Sequence, residues 1–374
     1  MRWCKNCVLP DTRPNLRINS SGICNACINH KSKDVINWDE REDKFKKICR
    51  EAQKRSKGYD CLVPVSGGKD STWQTIKLIE LGLNPLAITW KPPGRTKIGQ
   101  ENLNNLINIG VDHIDYSINP YVEAKFMLAA FKKFGATAIP MHQALFNIPL
   151  KIAHKFEIPL VIYGENGAFE YGNKSEEDTG FQINWDWMKT YGVTFGTSAE
   201  DWISPNLTRN ELTPYFGPSD HVIEKAGILG VFLGYYFNWD PIESKRVAMQ
   251  NGFKNDPSGP RTGLYDFADI DDIFISIHHW IKWYKFGFSR LFDNLSIEIR
   301  NHRITREKAI SIIVEEGNQT PKKEILEFAK FCKIDSKEIY DIAESFRNLN
   351  IWEKDSNNNW YMPNFLVKDW DWSS

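Results

Sequence analysis

With 374 residues the chain exceeds what one ordinary core holds, which predicts two main globular units with small appendages. Hydrophobic residues make up 41% and charged residues 25%, the balance of a soluble protein, and no apolar run reaches the roughly 18 residues of a membrane span. The opening MRWCKNCVLP carries no signal-peptide core. The cytoplasm is therefore the expected compartment, and no membrane partner is expected. A net charge of −1 argues against a nucleic-acid coat protein. Residues 1–58 nevertheless hold fourteen Lys/Arg against seven Asp/Glu, which reads as a solvated basic face or as a site for an anionic ligand or RNA.

Residues 1–35 read as a first unit. Through residue 30 it is rich in cysteine and poor in apolar side chains, so it cannot build a core and a metal is expected to hold it. Cys4-x-x-Cys7 and Cys24-x-x-Cys27, sixteen residues apart, match the two knuckles of a structural Zn²⁺ site whose four thiolates close the coordination shell. Two disulfides, free thiols and an iron–sulfur cluster are the alternatives, and His30 is a substitute for one ligand. Cys49, Cys61 and Cys332 are scattered in the manner of core thiols.

The second unit, residues 36–265, opens with a charged amphipathic helix over 38–57. Residues 61–65 read as a strand, 66–71 as a glycine loop, and a helix follows from Asp70 to Leu81, ended by Gly82. A buried strand over 85–90, a helix over 98–109 and a third strand over 113–118 come next. Helices near 121–134 and 142–157 lead to a fourth strand over 159–164. This alternation predicts an α/β fold with a doubly wound parallel sheet and ligands beyond the carboxyl ends of its strands. The glycine loop, Thr89 and Gly164-Glu165-Asn166 fall at such ends. From 166 to 225 Gly, Trp, Asn and acidic residues replace periodic apolar ones, so long loops and short helices are expected, forming a lid or substrate region. Residues 230–237 are a fifth strand candidate.

The third unit, residues 266–374, reads as mostly helical. His278 and His279 are neighbours on a helix and do not share a face, which assigns them to core or surface rather than to a metal pair. His142, at the start of a helix near the ligand edge of the sheet, is a cap or core residue or a substrate contact. The fourteen tryptophans fit packing better than sugar stacking.

The loop Ser66-Gly67-Gly68-Lys69-Asp70-Ser71 has the composition of a phosphate cradle. Two glycines let the backbone approach an anion, and exposed N–H groups with a helix N-terminus hold it. Ser66 and Ser71 add hydroxyl donors and Lys69 a positive charge. Asp70 is suited to hold Mg²⁺ beside a phosphate, or to cap the helix. Glu165 is a second carboxylate at a strand end, read as a Mg²⁺ or substrate contact. The loop resembles the SGGxDS loop of the PP-loop ATP pyrophosphatase superfamily, which splits ATP into AMP and pyrophosphate and adenylates an acceptor.

The ordered set of motifs is similar to that of the N-acetyl sugar amidotransferase family, whose enzymes form acetamidino sugars for O antigens and for pseudaminic and legionaminic acids. It comprises the two cysteine pairs with Asp11-Thr12-Arg13-Pro14 between them, the glycine loop, residues 90–96, Pro140-Met141-His142-Gln143, Tyr163-Gly164-Glu165-Asn166, residues 259–263, Lys285-Phe286-Gly287-Phe288 and Ile304-Thr305-Arg306-Glu307. The resemblance spans nearly the whole chain. It implies ATP and Mg²⁺ as cofactors, with Lys69, Asp70 and Glu165 catalytic and Ser66 to Ser71 with Thr89 binding ATP. The acceptor would be a nucleotide-sugar or a nonulosonic acid. Arg95, Arg261 and Lys285 are candidates for the acceptor's diphosphate or carboxylate, with His142 and Asn166 as further substrate contacts. The chain carries no recognisable glutaminase segment, so a separate glutaminase and a barrel-type partner are expected to deliver ammonia. The rival readings are a tRNA-thiolating enzyme of the same superfamily and a zinc-stapled binding module without catalysis.

Overall fold

The structure, a computed structural model, describes residues 1–174 and 180–372. In chain order the elements are α1 (Asn25–Ser32), α2 (Trp38–Arg55), β1 (Cys61–Pro64), α3 (Lys69–Glu80), β2 (Pro85–Trp90), α4 (Lys97–Ile107), β3 (Asp112–Tyr116), α5 (Pro120–Phe134), α6 (Ile139–Lys155) and β4 (Leu160–Tyr163). Short helices α7 (Gly167–Tyr171), α8 (Trp185–Tyr191) and α9 (Asp220–Ala226) precede β5 (Leu229–Phe232), α10 (Leu233–Tyr236) and α11 (Pro241–Gln250). The C-terminal helices are α12 (Ile275–Phe286), α13 (Arg290–Arg300), α14 (Arg306–Glu316), α15 (Lys322–Cys332) and α16 (Ser336–Ser345), followed by a small antiparallel pair, β6 (Glu353–Lys354) and β7 (Trp360–Tyr361).

The five main strands pair in parallel in the order β3-β2-β1-β4-β5. Alternating side chains divide between two cores, as the two-residue period of a strand requires. Leu62, Leu86, Ile88, Val161 and Tyr163 pack with α5 and α6, whereas Cys61, Val63, Ala87, Leu160 and Ile162 pack with α2, α3 and α4. Because both faces of the inner strands are covered, β1, β2 and β4 read as largely apolar runs, whereas the edge strand β3 is polar and partly exposed. The chain winds outward from β1 through β2 to β3, then returns to place β4 on the other side of β1. That reversal opens a crevice at the carboxyl ends of β1 and β4, where the glycine loop and Glu165 lie.

Two strands end two or more residues earlier than the sequence expectation. β3 stops at Tyr116, because Asn119-Pro120 starts α5, the Asn119 side chain accepting from Tyr121 N–H at 3.0 Å. The fifth strand ends at Phe232 and passes into a single helical turn. Gly234 donates its N–H to the Gly164 carbonyl at 3.0 Å, so the chain folds over the end of β4 instead of extending to residue 237. The segment expected as loops and short helices contains α7, α8 and α9; its positions 175–179 lie outside the described residues.

The first thirty residues do not stand apart. Val8, Leu9, Leu16 and Ala26 enter a core built from α12, α13, α14 and the last residues, including Trp283, Leu295, Trp352 and Phe365. Arg13 pairs with Asp293 at 3.0 Å and the Trp3 indole N–H reaches the Asn364 carbonyl at 2.7 Å. Trp283, Trp352, Trp370 and Trp372 gather around Phe365 in this core. No helix among the described residues is long and apolar enough to cross a membrane.

Candidate active site

β1 delivers the glycine loop to the crevice, and two glycines shape it for different reasons. Gly67 has φ +85°, a left-handed conformation, and a Cβ there would lie 2.5 Å from Leu103 N. Gly68 has φ −68° and stands at the N-cap of α3 with no side-chain cap. Ser66 and Ser71 close the loop on itself: Gly68 N–H bonds Ser66 Oγ at 3.2 Å, and Ser71 Oγ bonds the Gly68 carbonyl at 3.0 Å.

Lys69 and Asp70 form a contact ion pair at the first turn of α3, with Lys69 buried. The other Asp70 oxygen accepts the Trp239 indole N–H at 2.9 Å. Trp239 is in turn tied to the N-terminal unit. Its carbonyl accepts Lys33 Nζ at 3.2 Å, and Lys33 forms a buried ion pair with Glu170 at 2.7 Å.

Ser66, Gly68, Lys69, Asp70 and Glu165 line one cavity of about 230 Å³. Its far wall comes from the segment before α12 and from α13, with Tyr265, Phe267, Asp269, Asp271, Arg290 and Asn294. Burial, with the Asp70 charge nearby, pushes Glu165 up to about 7, and burial pushes Asp271 up to about 6. Asp269 behaves oppositely. Burial acts to raise it, but Arg290 and His279 outweigh burial and hold it well below the usual carboxylate range. Lys69 and Arg290 thus face four carboxylates, so an anionic ligand in this cavity calls for accompanying cations. Mg²⁺ carried by one or two carboxylates plus phosphate oxygens suits that balance.

The other residues singled out from the sequence lie outside this cavity. Thr89 is buried beneath the loop; its hydroxyl donates to the Val65 carbonyl at 2.7 Å and meets His113 Nε2 at 2.9 Å, so it braces the strand that carries the loop. Arg95 forks onto Asp115, both contacts 2.7 Å. Arg261 pairs with Asp256 at 3.2 Å and Glu324 at 3.4 Å. Lys285 Nζ caps α5 by donating to the Phe134 and Gly135 carbonyls, and burial lowers it to about 8. His142 Nδ1 lies 2.9 Å from the Ala138 carbonyl. Asn166 caps α7 and donates to the Gly180 carbonyl at 2.9 Å. Trp239, Asp269, Asp271 and Arg290 are cavity residues that sequence reasoning missed; the Asn-Trp-Asp-Pro run before α11 was the one local signal, a capped helix start at a strand's far end.

The four cysteines of the first unit converge. Their sulfurs lie within 4.8 Å of one another, all four are buried, and none of the seven cysteines is disulfide-bonded. Cys7 and Cys24 sulfurs are 3.7 Å apart; a regular tetrahedron with metal–sulfur bonds of about 2.3 Å has edges of about 3.8 Å. Cys24 N–H points at Cys4 Sγ and Asn6 Nδ2 at Cys27 Sγ, both at 3.3 Å, as suits thiolates. The donor set fits a closed Zn²⁺ shell, and His30 is not part of it.

Residues 262–366 match the family model described as "LPS biosynthesis protein WbpG-like, C-terminal domain". The match covers the Asp269, Arg290 and Asn294 wall of the cavity. Among solved structures, that of NMN synthetase from Francisella tularensis is 18% identical, with a TM-score of 0.26, over 52% of this chain and 82% of that chain. No curated protein matches the chain.

Proposed function

We propose that the chain is an ATP-dependent amidotransferase that turns the acetamido group of an N-acetylated nucleotide-sugar or nonulosonic acid into an acetamidino group, for surface polysaccharide synthesis. The observation that carries this reading is the glycine loop opening, with Lys69, Asp70 and Glu165, into a cavity whose other wall belongs to the matched segment. The cavity's residues suit the two steps of the chemistry. First the acetamido carbonyl oxygen attacks the α-phosphorus of ATP and pyrophosphate leaves. Ammonia then adds to the activated carbon, AMP leaves with that oxygen, and a proton is lost to give the amidine.

An amide oxygen leaves poorly, and its adenylate leaves well. The loop N–H groups and Lys69 hold the departing pyrophosphate and offset its growing charge. Asp70 and Glu165 would hold Mg²⁺, which supplies further charge neutralisation on the phosphates. Trp239 holds Asp70 in place. Ammonia is assigned to a separate glutaminase partner. Cys49 and Cys332 are raised to about 12 by burial, and Cys61 is fully buried. The tRNA-thiolating reading needs a reactive cysteine, and none among the described residues lines the cavity.

The deciding assay measures pyrophosphate release with an acetamido nucleotide-sugar, with tRNA, and with neither. Release that depends on the sugar, with a product about one mass unit lighter, is the expected outcome. Release that depends on tRNA would replace this reading.

A further inference from the structure

We propose that Arg290 grips the anionic group of the acceptor, a phosphate or a carboxylate, inside the cavity into which the glycine loop opens; this rests on the reading above. Arg290 begins α13 and stands on the wall opposite the loop. Its Nε is tied to Asp269 Oδ2 at 3.1 Å. That same oxygen accepts Thr262 Oγ1 at 2.6 Å and lies 3.4 Å from His279 Nε2. Three groups from separate parts of the chain thereby fix the orientation of one guanidinium. Its two terminal nitrogens have no hydrogen-bond partner among the described residues. A planar fork held at its base with two donors open is the arrangement that binds phosphate or carboxylate in bidentate fashion.

The cation inventory narrows the assignment. The loop and Lys69 serve the nucleotide's phosphates, and Lys69 is already paired with Asp70. Arg95, Arg261 and Lys285 are engaged by Asp115, by Asp256 and Glu324, and by backbone carbonyls. Among the cavity residues this leaves Arg290 as the cation with open donors. It is also contributed by the segment that the family model covers. The acceptor's acetamido group would then lie toward the loop and its anion toward α13.

The test is direct binding, which does not depend on turnover. The full chain and its Arg290→Gln and Arg290→Lys variants are titrated calorimetrically with UDP-N-acetylglucosamine, N-acetylneuraminate, uncharged N-acetylglucosamine and magnesium α,β-methylene-ATP. At least one anionic acetamido sugar should bind the wild-type chain and bind Arg290→Gln about 10- to 100-fold more weakly, the loss of charge-assisted hydrogen bonds. Arg290→Lys keeps a cation beside Asp269, which guards against misfolding, and should recover part of that loss. N-acetylglucosamine should show no difference between the chains, and the ATP analogue should stay within about twofold. An equal loss for the ATP analogue would assign Arg290 to the nucleotide and overturn the proposal. So would unchanged binding of both anionic sugars, or their failure to bind the wild-type chain. Intact, Arg290-dependent sugar binding without sugar-dependent pyrophosphate release would instead sink the amidotransferase reading and leave the binding role standing.

Discussion

Replacing Gly67 by alanine separates a built phosphate cradle from an ordinary tight turn. Alanine at φ +85° carries a left-handed penalty of about 1–2 kcal/mol. The added Cβ would also lie 2.5 Å from Leu103 N and 2.6 Å from Leu103 Cα, both backbone atoms that no rotamer change can move. Reaching ordinary contact requires the loop or the start-to-middle of α4 to retreat by about 1 Å, an overpacking strain of about 1–3 kcal/mol. The expected loss of stability is therefore about 2–5 kcal/mol, read from urea unfolding. A loop displaced by 1 Å should also lower acceptor-dependent pyrophosphate release by about 100-fold. Gly68→Ala is the internal control: φ there is −68° and the added Cβ meets only Ser66 Oγ at 3.1 Å, so stability should stay within about 1 kcal/mol of wild type. Wild-type stability and turnover in Gly67→Ala would refute the reasoning.

Lys69→Ala and Asp70→Ala should each abolish pyrophosphate release while circular dichroism stays native; wild-type turnover in both would remove the loop from the mechanism. The purified chain should hold about one Zn²⁺, by the four-thiolate logic, and Cys24→Ser should lose it and unfold at lower temperature; elemental analysis finding iron, or no metal, would contradict this. The chain alone should form amidine from ammonium salts and not from glutamine, checked by mass spectrometry with the two nitrogen donors in parallel. Glu123, buried and accepting the Trp90 indole N–H at 2.7 Å, is raised by burial to about 8. It stays protonated in the folded chain where the unfolded chain has lost the proton, so its contribution falls as pH climbs from about 4.5 to about 8. Glu123→Gln should flatten that part of the stability–pH curve, and an unchanged slope would show that Glu123 is ionised when folded.

The loop and the strands were legible because local chemistry fixes them. Two glycines between an apolar run and an amphipathic helix leave few alternatives, and the inner strands β1, β2 and β4 are buried on both faces, so each reads as a largely apolar segment. The cysteine convergence was legible from spacing alone. The far wall of the cavity was not. Arg290 sits in Phe-Ser-Arg-Leu-Phe, which reads only as a helix start, and its meaning arises from Asp269, Thr262 and His279, brought to it by the tertiary fold. Arg95, Arg261 and Lys285 drew attention as basic residues in family-like stretches. Their partners, Asp115, Asp256, Glu324 and the end of α5, are equally invisible to local pattern. The strand expected over 230–237 ended early because Gly234 bonds a carbonyl on a different strand's end, a contact no window of sequence contains.

The core shared by the two ends of the chain sets a timetable for biosynthesis. Val8, Leu9 and Leu16 pack against Trp283, Leu295 and Phe365, so the cysteine unit is made well before its packing partners. At about 5–20 residues per second, roughly 13–50 s separate the synthesis of Cys27 from that of Trp283. During that interval the four thiols have only one another and whatever ion they capture. Zinc taken up early would keep the knuckles in register until α12 and α13 close over them, whereas a nascent chain made without zinc would present four clustered thiols to oxidants before any of the C-terminal wall exists.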